Sequence, residues 1–143
     1  MVKYLLFISL VLVSCSTGNT TIGWEKTPLE VSLLDPLIDL KNVEESNRVI
    51  IIPEVGCTGC ISNALNYFHQ SRNREEIFIF TSILDMRMFR QEISEELWSD
   101  ENIIVDSLNY LNKVGFETAY PLFIKYGTDG YLYKKNFDIN NLN

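Results

Sequence analysis

The feature that most constrains the fold is an uninterrupted run of β-branched residues, Val49-Ile50-Ile51-Ile52, which ends at Pro53. A strand without polar alternation is buried on both faces, as the strands of parallel sheets are. Parallel neighbours need a crossover of a dozen or more residues between them, which is usually a helix. The run therefore predicts an α/β protein whose central sheet contains parallel strands covered by helices.

Apolar residues at helical spacing supply the expected crossovers. One stripe consists of Ile61, Ala64, Leu65 and Phe68, and a second consists of Met86, Phe89, Ile93 and Leu97. The segments 77–83 and 103–105 are rich in β-branched and aromatic residues and predict strands. Asp106 can cap a third helix, and Gly115 suits the residue that follows it. That helix would carry Leu108, Leu111 and Val114.

The C-terminal part predicts a β-hairpin, with strands at 122–126 and 131–133 around the turn Gly127-Thr128-Asp129-Gly130. Upstream, Leu29, Val31 and Leu33 alternate with polar residues and predict a strand after Pro28. The segment 37–43 fits either a short helix or a second strand. From Arg48 onward the expected order is strand, helix, strand, helix, strand, helix, strand, strand. This order predicts a central mixed sheet with helices on both faces.

The N-terminus reads as a targeting signal. Lys3 precedes the apolar run 5–13, which is too short to span a bilayer but has the length of a signal-peptide core. The tetrapeptide Leu12-Val13-Ser14-Cys15 resembles a bacterial lipobox, in which the cysteine is lipidated and becomes the mature N-terminus. An ordinary secretory peptide with a chance cysteine is the alternative.

The chain is thus expected to have three parts: a lipoprotein signal peptide over 1–14, a lipidated Cys15 with a flexible tether over 15–23, and one folded domain over 24–143. Lipid would hold the mature protein on a bacterial membrane, facing the periplasm. The formal net charge of −7 disfavours nucleic acid as a partner, because phosphate backbones require basic surfaces.

The candidate site is Cys57-Thr58-Gly59-Cys60, between the first buried strand and its helix. The amide groups and the dipole at a helix start favour a thiolate, which is the attacking species in disulfide exchange. Thr58 and Gly59 are small and leave the loop open to a partner. The second thiol is near enough to resolve a mixed disulfide.

Three other interpretations of this pair were weighed. A structural disulfide would be a weak cross-link, because stabilisation grows with loop length and this loop is short. A structural zinc site needs four ligands, and the chain offers only this pair beside His69, its one histidine. Cu(I) suits soft thiolates, but copper-carrying ferredoxin-like modules place two strands between their helices, where this sequence predicts one.

The order of elements around this pair resembles the thioredoxin superfamily, and in particular its membrane-anchored, periplasm-facing thiol–disulfide oxidoreductases. The resemblance covers about residues 48–133. Cys57 and Cys60 match the redox pair, Tyr120-Pro121 matches the X-Pro that the family holds in cis beside the cysteines, and Gly130 matches a turn glycine. It implies a three-layer α/β sandwich with a C-terminal hairpin.

The resemblance also implies roles for these residues. Cys57 would attack, Cys60 would resolve, and Tyr120 with Pro121 would dock an extended substrate chain through the backbone of Tyr120. Protein substrates or redox partners would bind through a mixed disulfide, with no cofactor and no metal ion. A thioredoxin-like adaptor or a Cu(I) carrier is the alternative.

The sequence departs from the family pattern at several positions. The tryptophan before the first cysteine is Gly56, the Gly-Pro between the cysteines is Thr58-Gly59, and the buried acid six positions upstream is Ile51. Glu54 is the nearest acid and could replace that proton relay, or could simply be solvated.

Overall fold

The computed structural model describes residues 23–38, 48–71, 76–94 and 100–138. Within them six strands form one open, mixed sheet with three α-helices. The strands are β1 (Glu25–Glu30), β2 (Arg48–Pro53), β3 (Glu76–Thr81), β4 (Ile103–Val105), β5 (Leu122–Tyr126) and β6 (Tyr131–Asn136). The helices are α1 (Thr58–Gln70), α2 (Met86–Glu92) and α3 (Tyr110–Lys113), with a 3-10 helix at Val31–Leu34. The α/β class and the predicted order of elements from Arg48 are confirmed.

The strands lie in the order β1-β6-β5-β2-β3-β4. β2 pairs parallel with β3, and β3 pairs parallel with β4, as the two crossovers through α1 and α2 require. The pairs β2–β5, β5–β6 and β1–β6 are antiparallel. The carboxyl ends of β2, β3 and β4 therefore meet at one edge of the sheet, where β5 begins.

The side chains of β2 alternate between two buried clusters. Ile50 and Ile52 pack in a cluster with residues of α1 and α2, which include Ala64, Phe68 and Phe89. Val49 and Ile51 pack in the other cluster, which includes Leu111 of α3 and Leu34 of the 3-10 helix. Burial of β2 on both sides explains why its sequence is apolar without interruption.

A buried polar contact at the other end of the sheet joins α1 to β3. The Glu76 carboxylate is only 5% exposed and accepts a hydrogen bond of 2.6 Å from the Tyr67 hydroxyl. Arg48 lies 3.9 Å from the same carboxylate. The pattern of apolar residues gave no sign of this pair, because Tyr67 lies beside the predicted helix stripe and Glu76 reads as a solvated residue.

The region before β2 differs from its prediction. The first strand begins at Glu25, ahead of Pro28, and the segment expected as a strand at 29–33 turns into the 3-10 helix at Val31–Leu34. β1 lies at the edge of the sheet and pairs only with β6, a partner more than a hundred positions away. Local alternation therefore carried little information here. Of the ambiguous segment 37–43, residues 39–43 lie outside the described ranges.

Three later elements are shorter than predicted. The strand expected at 77–83 ends at Thr81, and α2 ends at Glu92, while Leu97 of its expected stripe lies outside the described residues. α3 has only four residues and excludes Leu108, which is 73% exposed. The N-cap residue is Asn109 rather than the predicted Asp106. The buried Asp106 carboxylate still accepts hydrogen bonds from the amides of Tyr110 and Leu111 in the first turn.

Candidate functional site

The cysteine pair follows the carboxyl end of β2, at the end of the sheet where the parallel strands finish. Cys57 is the residue directly before α1, and Cys60 lies in the first turn of that helix. The two residues form a disulfide, with their Cα atoms 5.3 Å apart. Both residues are partly exposed.

The start of α1 offers its amide groups to the cysteines. The first intrahelical bond runs from the Ile61 amide to the Cys57 carbonyl at 2.9 Å. The disulfide-bonded Cys57 side chain makes no capping hydrogen bond, and the first turn contains no acidic residue. Unpaired amides and the helix dipole at this end stabilise a negative charge. A Cys57 thiolate would therefore occupy the capping position of a thirteen-residue helix.

The segment before β5 lies directly against the cysteine loop. The Cys57 amide donates a hydrogen bond of 2.8 Å to the Ala119 carbonyl. Gly56 has φ +149°, and a Cβ built on it would overlap the Ala119 carbonyl oxygen and lie 2.6 Å from the carbonyl carbon. Only glycine permits this approach, which brings Tyr120 and Pro121 beside the disulfide.

Tyr120 and Pro121 lie directly before β5, but the peptide bond between them differs from the predicted one. Pro121 is buried at the start of β5, and its carbonyl accepts a hydrogen bond of 2.9 Å from the Phe137 amide. The described residues contain no cis peptide bond, so the Tyr120–Pro121 bond is trans. The prediction of a cis proline is therefore wrong.

The backbone of Tyr120 is already engaged. Its amide donates to the Thr118 hydroxyl at 3.1 Å, and its carbonyl accepts from the same hydroxyl at 2.6 Å. The Tyr120 side chain, by contrast, is 53% exposed. In this geometry the side chain is the freely presented part of Tyr120, and Thr118 would have to release the backbone before a substrate strand could pair with it.

Exposed apolar side chains lie in the loops at this end of the sheet. Val55 follows β2, Leu84 follows β3 and Leu108 follows β4, and Leu84 is 82% exposed. Together with Tyr120 these residues are called the apolar rim below. A cleft of about 460 Å³ is bordered by Val55, Leu84 and Ala119. Sequence reasoning missed the rim, because it assigned Leu108 to a buried helix face.

Glu54, the candidate for a proton relay, has a structural contact. Its carboxylate accepts a hydrogen bond from the Leu84 amide and so ties the β2–α1 loop to the β3–α2 loop. Ile51, at the position of the family acid, is completely buried in the sheet. His69 lies in the last turn of α1, at the opposite end of that helix from the cysteines.

Comparison with known proteins finds no match among family models, curated proteins or solved structures. Within the described ranges no group of three or more His, Cys, Asp or Glu side chains is arranged to hold a metal ion. No helix in the same ranges is long and apolar enough to cross a membrane.

Proposed function

We propose that this chain is a lipid-anchored thiol–disulfide oxidoreductase that acts through Cys57 and Cys60 and has a thioredoxin-like fold. The observation that carries the proposal is a partly exposed disulfide across the first turn of α1, held against the segment that leads into β5. A cross-link this local adds little stability, whereas its position at a helix start favours thiolate chemistry.

The packing supports a three-layer arrangement. α1 and α2 share a buried cluster with Ile50 and Ile52, while α3 shares the other cluster with Ile51. Successive residues of a strand point to opposite faces of its sheet. Helices on both faces, a mixed sheet and a hairpin of β5 and β6 at the C-terminal end are the arrangement that the resemblance implies.

The chemistry is a two-step exchange. A partner thiolate attacks the sulfur of Cys57, the bond between Cys57 and Cys60 breaks, and Cys60 leaves as a thiolate. The second partner thiolate then attacks the partner sulfur of the mixed disulfide and displaces Cys57. The partner loses two electrons and two protons, and the cysteine pair takes them up. In reverse, the Cys57 thiolate attacks a partner disulfide and Cys60 resolves the intermediate.

Trapping tests the proposal. The full chain with Cys60→Ser, expressed in a bacterial envelope, should accumulate mixed disulfides between Cys57 and other proteins, visible as adducts that a reductant removes. Cys57→Ser is the matched control and should trap far fewer, because Cys60 is the resolving thiol. If neither variant forms adducts and the wild-type pair exchanges with no model disulfide, the proposal is wrong. A tight one-to-one Cu(I) complex would then support the carrier alternative.

The anchor is a separate part of the proposal. Cys15 lies outside the described residues, and its assignment rests on the sequence Leu12-Val13-Ser14-Cys15. We expect the mature chain to begin at a lipidated Cys15 and to sit on the periplasmic side of a bacterial membrane. Mass spectrometry of the membrane-extracted protein should find this modified N-terminus, and a mature chain without lipid on Cys15 would contradict it.

A further inference from the structure

The direction of β1 determines where the tether leaves the domain. β1 runs antiparallel to β6, with Glu25 opposite Lys134, and β6 runs antiparallel to β5, with Asn136 opposite Leu122. Leu122 in turn lies opposite Ile51, near the end of β2. The start of β1 and the end of β2 are therefore at the same end of the sheet.

A cleft lies between the start of β1 and the segment that contacts the cysteine loop. It has a volume of about 390 Å³ and is bordered by Gly23 and Glu25 on one side and by Thr118, Ala119 and Tyr120 on the other. Ala119 is the residue whose carbonyl accepts the hydrogen bond from the Cys57 amide. The cleft therefore separates the point where the chain enters the domain from the segment that contacts the cysteine loop.

Resting on the function proposed above, we infer that Cys57 and Cys60 exchange disulfides with proteins held at the same membrane surface to which Cys15 is anchored. The residues 16–23 separate Cys15 from the folded domain. Eight residues reach at most about 28 Å, whereas a compact domain of this length is about 35 Å across. Because the tether leaves from the end that carries the disulfide, the disulfide stays close to the membrane.

The chemistry of this end fits a protein surface. The apolar rim presents Leu84 and Leu108, both more than 70% exposed, in loops at the same end of the sheet as the disulfide. Acidic side chains lie in these loops, with Asp85 directly after Leu84 and Glu117 in the cleft that Val55 borders, while Lys134 and Lys135 line the cleft at the start of β1. An acidic chain with net charge −7 is repelled by anionic headgroups, so a protein partner suits this end better than the lipid surface itself.

The test changes the length of the tether in the full, lipidated chain. A Gly/Ser segment of forty residues is inserted between Thr20 and Thr21, and both chains are reduced and placed in phosphatidylcholine vesicles. The probe is a short peptide with one internal disulfide, either coupled by a short linker to a lipid headgroup in those vesicles or free in solution. The measured quantity is the rate at which peptide thiols appear.

A disulfide site close to the membrane loses effective concentration when its tether grows. We expect the insertion to slow the reaction with the lipid-held peptide about tenfold and to leave the rate with the free peptide unchanged. A site that pointed away from the membrane would gain access, so an equal or faster rate with the lipid-held peptide overturns the inference.

Two further outcomes are informative. If neither chain reacts with the free peptide, the exchange function itself fails, which separates that failure from failure of the inference. If the unlipidated Cys15→Ser chain binds the vesicles and Leu84→Ser abolishes the binding, the rim rests on lipid and the assignment to a protein partner is overturned.

Discussion

At the scale of single residues, the site depends on a glycine that carries no chemistry. Gly56 stands where thioredoxin-like proteins commonly have a tryptophan, and its missing side chain lets the Ala119 carbonyl approach the cysteine loop. The hydrogen bond from the Cys57 amide to that carbonyl fixes the two segments together. The absence of a side chain at Gly56 is thus what permits a close backbone contact.

Gly56→Ala and Gly59→Ala are a matched pair that tests this contact. Gly56 has φ +149° and no room for a Cβ, so we expect its substitution to lower the free energy of unfolding by about 1–3 kcal/mol. Gly59 lies in the first turn of α1 with nothing within 4 Å of a built Cβ, and alanine there should stabilise by up to about 1 kcal/mol. Denaturant unfolding of the oxidised chains measures both, and equal effects would contradict the contact.

Tyr120 should act in docking rather than in stability. Its side chain is 53% exposed, so Tyr120→Ala should change the free energy of unfolding by no more than about 0.5 kcal/mol. We expect the same variant to exchange at least about fivefold more slowly with a protein disulfide. Its rate with a small-molecule disulfide should be unchanged. Parallel rate measurements check this split, and an equal loss with both substrates would contradict a docking role.

The sequence located the cysteines but not the backbone hydrogen bonds around them. The Cys-x-x-Cys spacing and the preceding apolar run are local signals, and both the disulfide and its place at a helix start agree with them. The contact with Ala119 joins segments about sixty positions apart and involves only backbone atoms. Thr118, which occupies both backbone groups of Tyr120, likewise has no periodic or motif signal.

At the scale of elements, a side chain in the turn between β5 and β6 contacts the edge strand β1. The Asp129 carboxylate accepts hydrogen bonds from the Tyr131 amide, the Tyr133 hydroxyl and the Lys26 ammonium of β1. This carboxylate therefore joins the edge strand to the hairpin. The register of β1 is set by its antiparallel pairing with β6, and the bond from Lys26 adds a side-chain contact to that pairing.

The pH dependence of stability should report on this contact. The hydrogen bond from Lys26 lowers the pKa of Asp129 below its ordinary value, so the stabilisation is present above that value and is lost as the pH falls through the lowered one. Asp129→Asn should melt at a lower temperature than wild type at pH 7, and the difference should shrink progressively as the pH falls below about 4, vanishing only in stronger acid. Thermal denaturation across this pH range checks this, since a difference that does not shrink in acid would point to another cause.

The magnitude of that difference should be small and sensitive to salt. The Lys26 and Asp129 side chains are 47% and 40% exposed, so solvent and ions screen their attraction. Repeating the melts at high ionic strength should reduce the difference between the two chains at pH 7.

Leucines 108 and 111 test the boundary of α3. Leu111 is completely buried, whereas Leu108 is 73% exposed. Leu111→Ala should therefore cost about 2–5 kcal/mol of unfolding free energy, and Leu108→Ala should stay within about 0.5 kcal/mol. Chemical denaturation measures both values. Similar costs would mean that Leu108 packs in the core, as the sequence pattern alone had predicted.

Element boundaries could be predicted where packing follows the sequence period. α1 fits its stripe because one helix face packs on β2, and β2 itself is buried on both sides. α3 does not fit, because a four-residue helix has no room for a stripe of its own. β1 could not be found, since its register depends on a distant partner rather than on local alternation.

At the scale of the whole molecule, strand direction determines what lies together. The two parallel crossovers bring the loops after β2, β3 and β4 to one edge of the sheet, and the antiparallel strands bring the start of β1 and of β5 to the same edge. The α/β class and the element order followed from the sequence. The position of β1, and with it the exit of the tether, required the pairing of strands from opposite ends of the chain.

The central claim is that Cys57 and Cys60 exchange disulfides with protein thiols, and one reaction tests it most directly. The oxidised full chain is mixed with excess of a reduced peptide dithiol, and free thiols are alkylated and counted by mass spectrometry. We expect the chain to gain two thiols for each peptide disulfide formed. The reduced chain with excess peptide disulfide should run the reaction backwards, and Cys57→Ser should do neither. A wild-type chain whose Cys57–Cys60 bond persists in excess dithiol would contradict it.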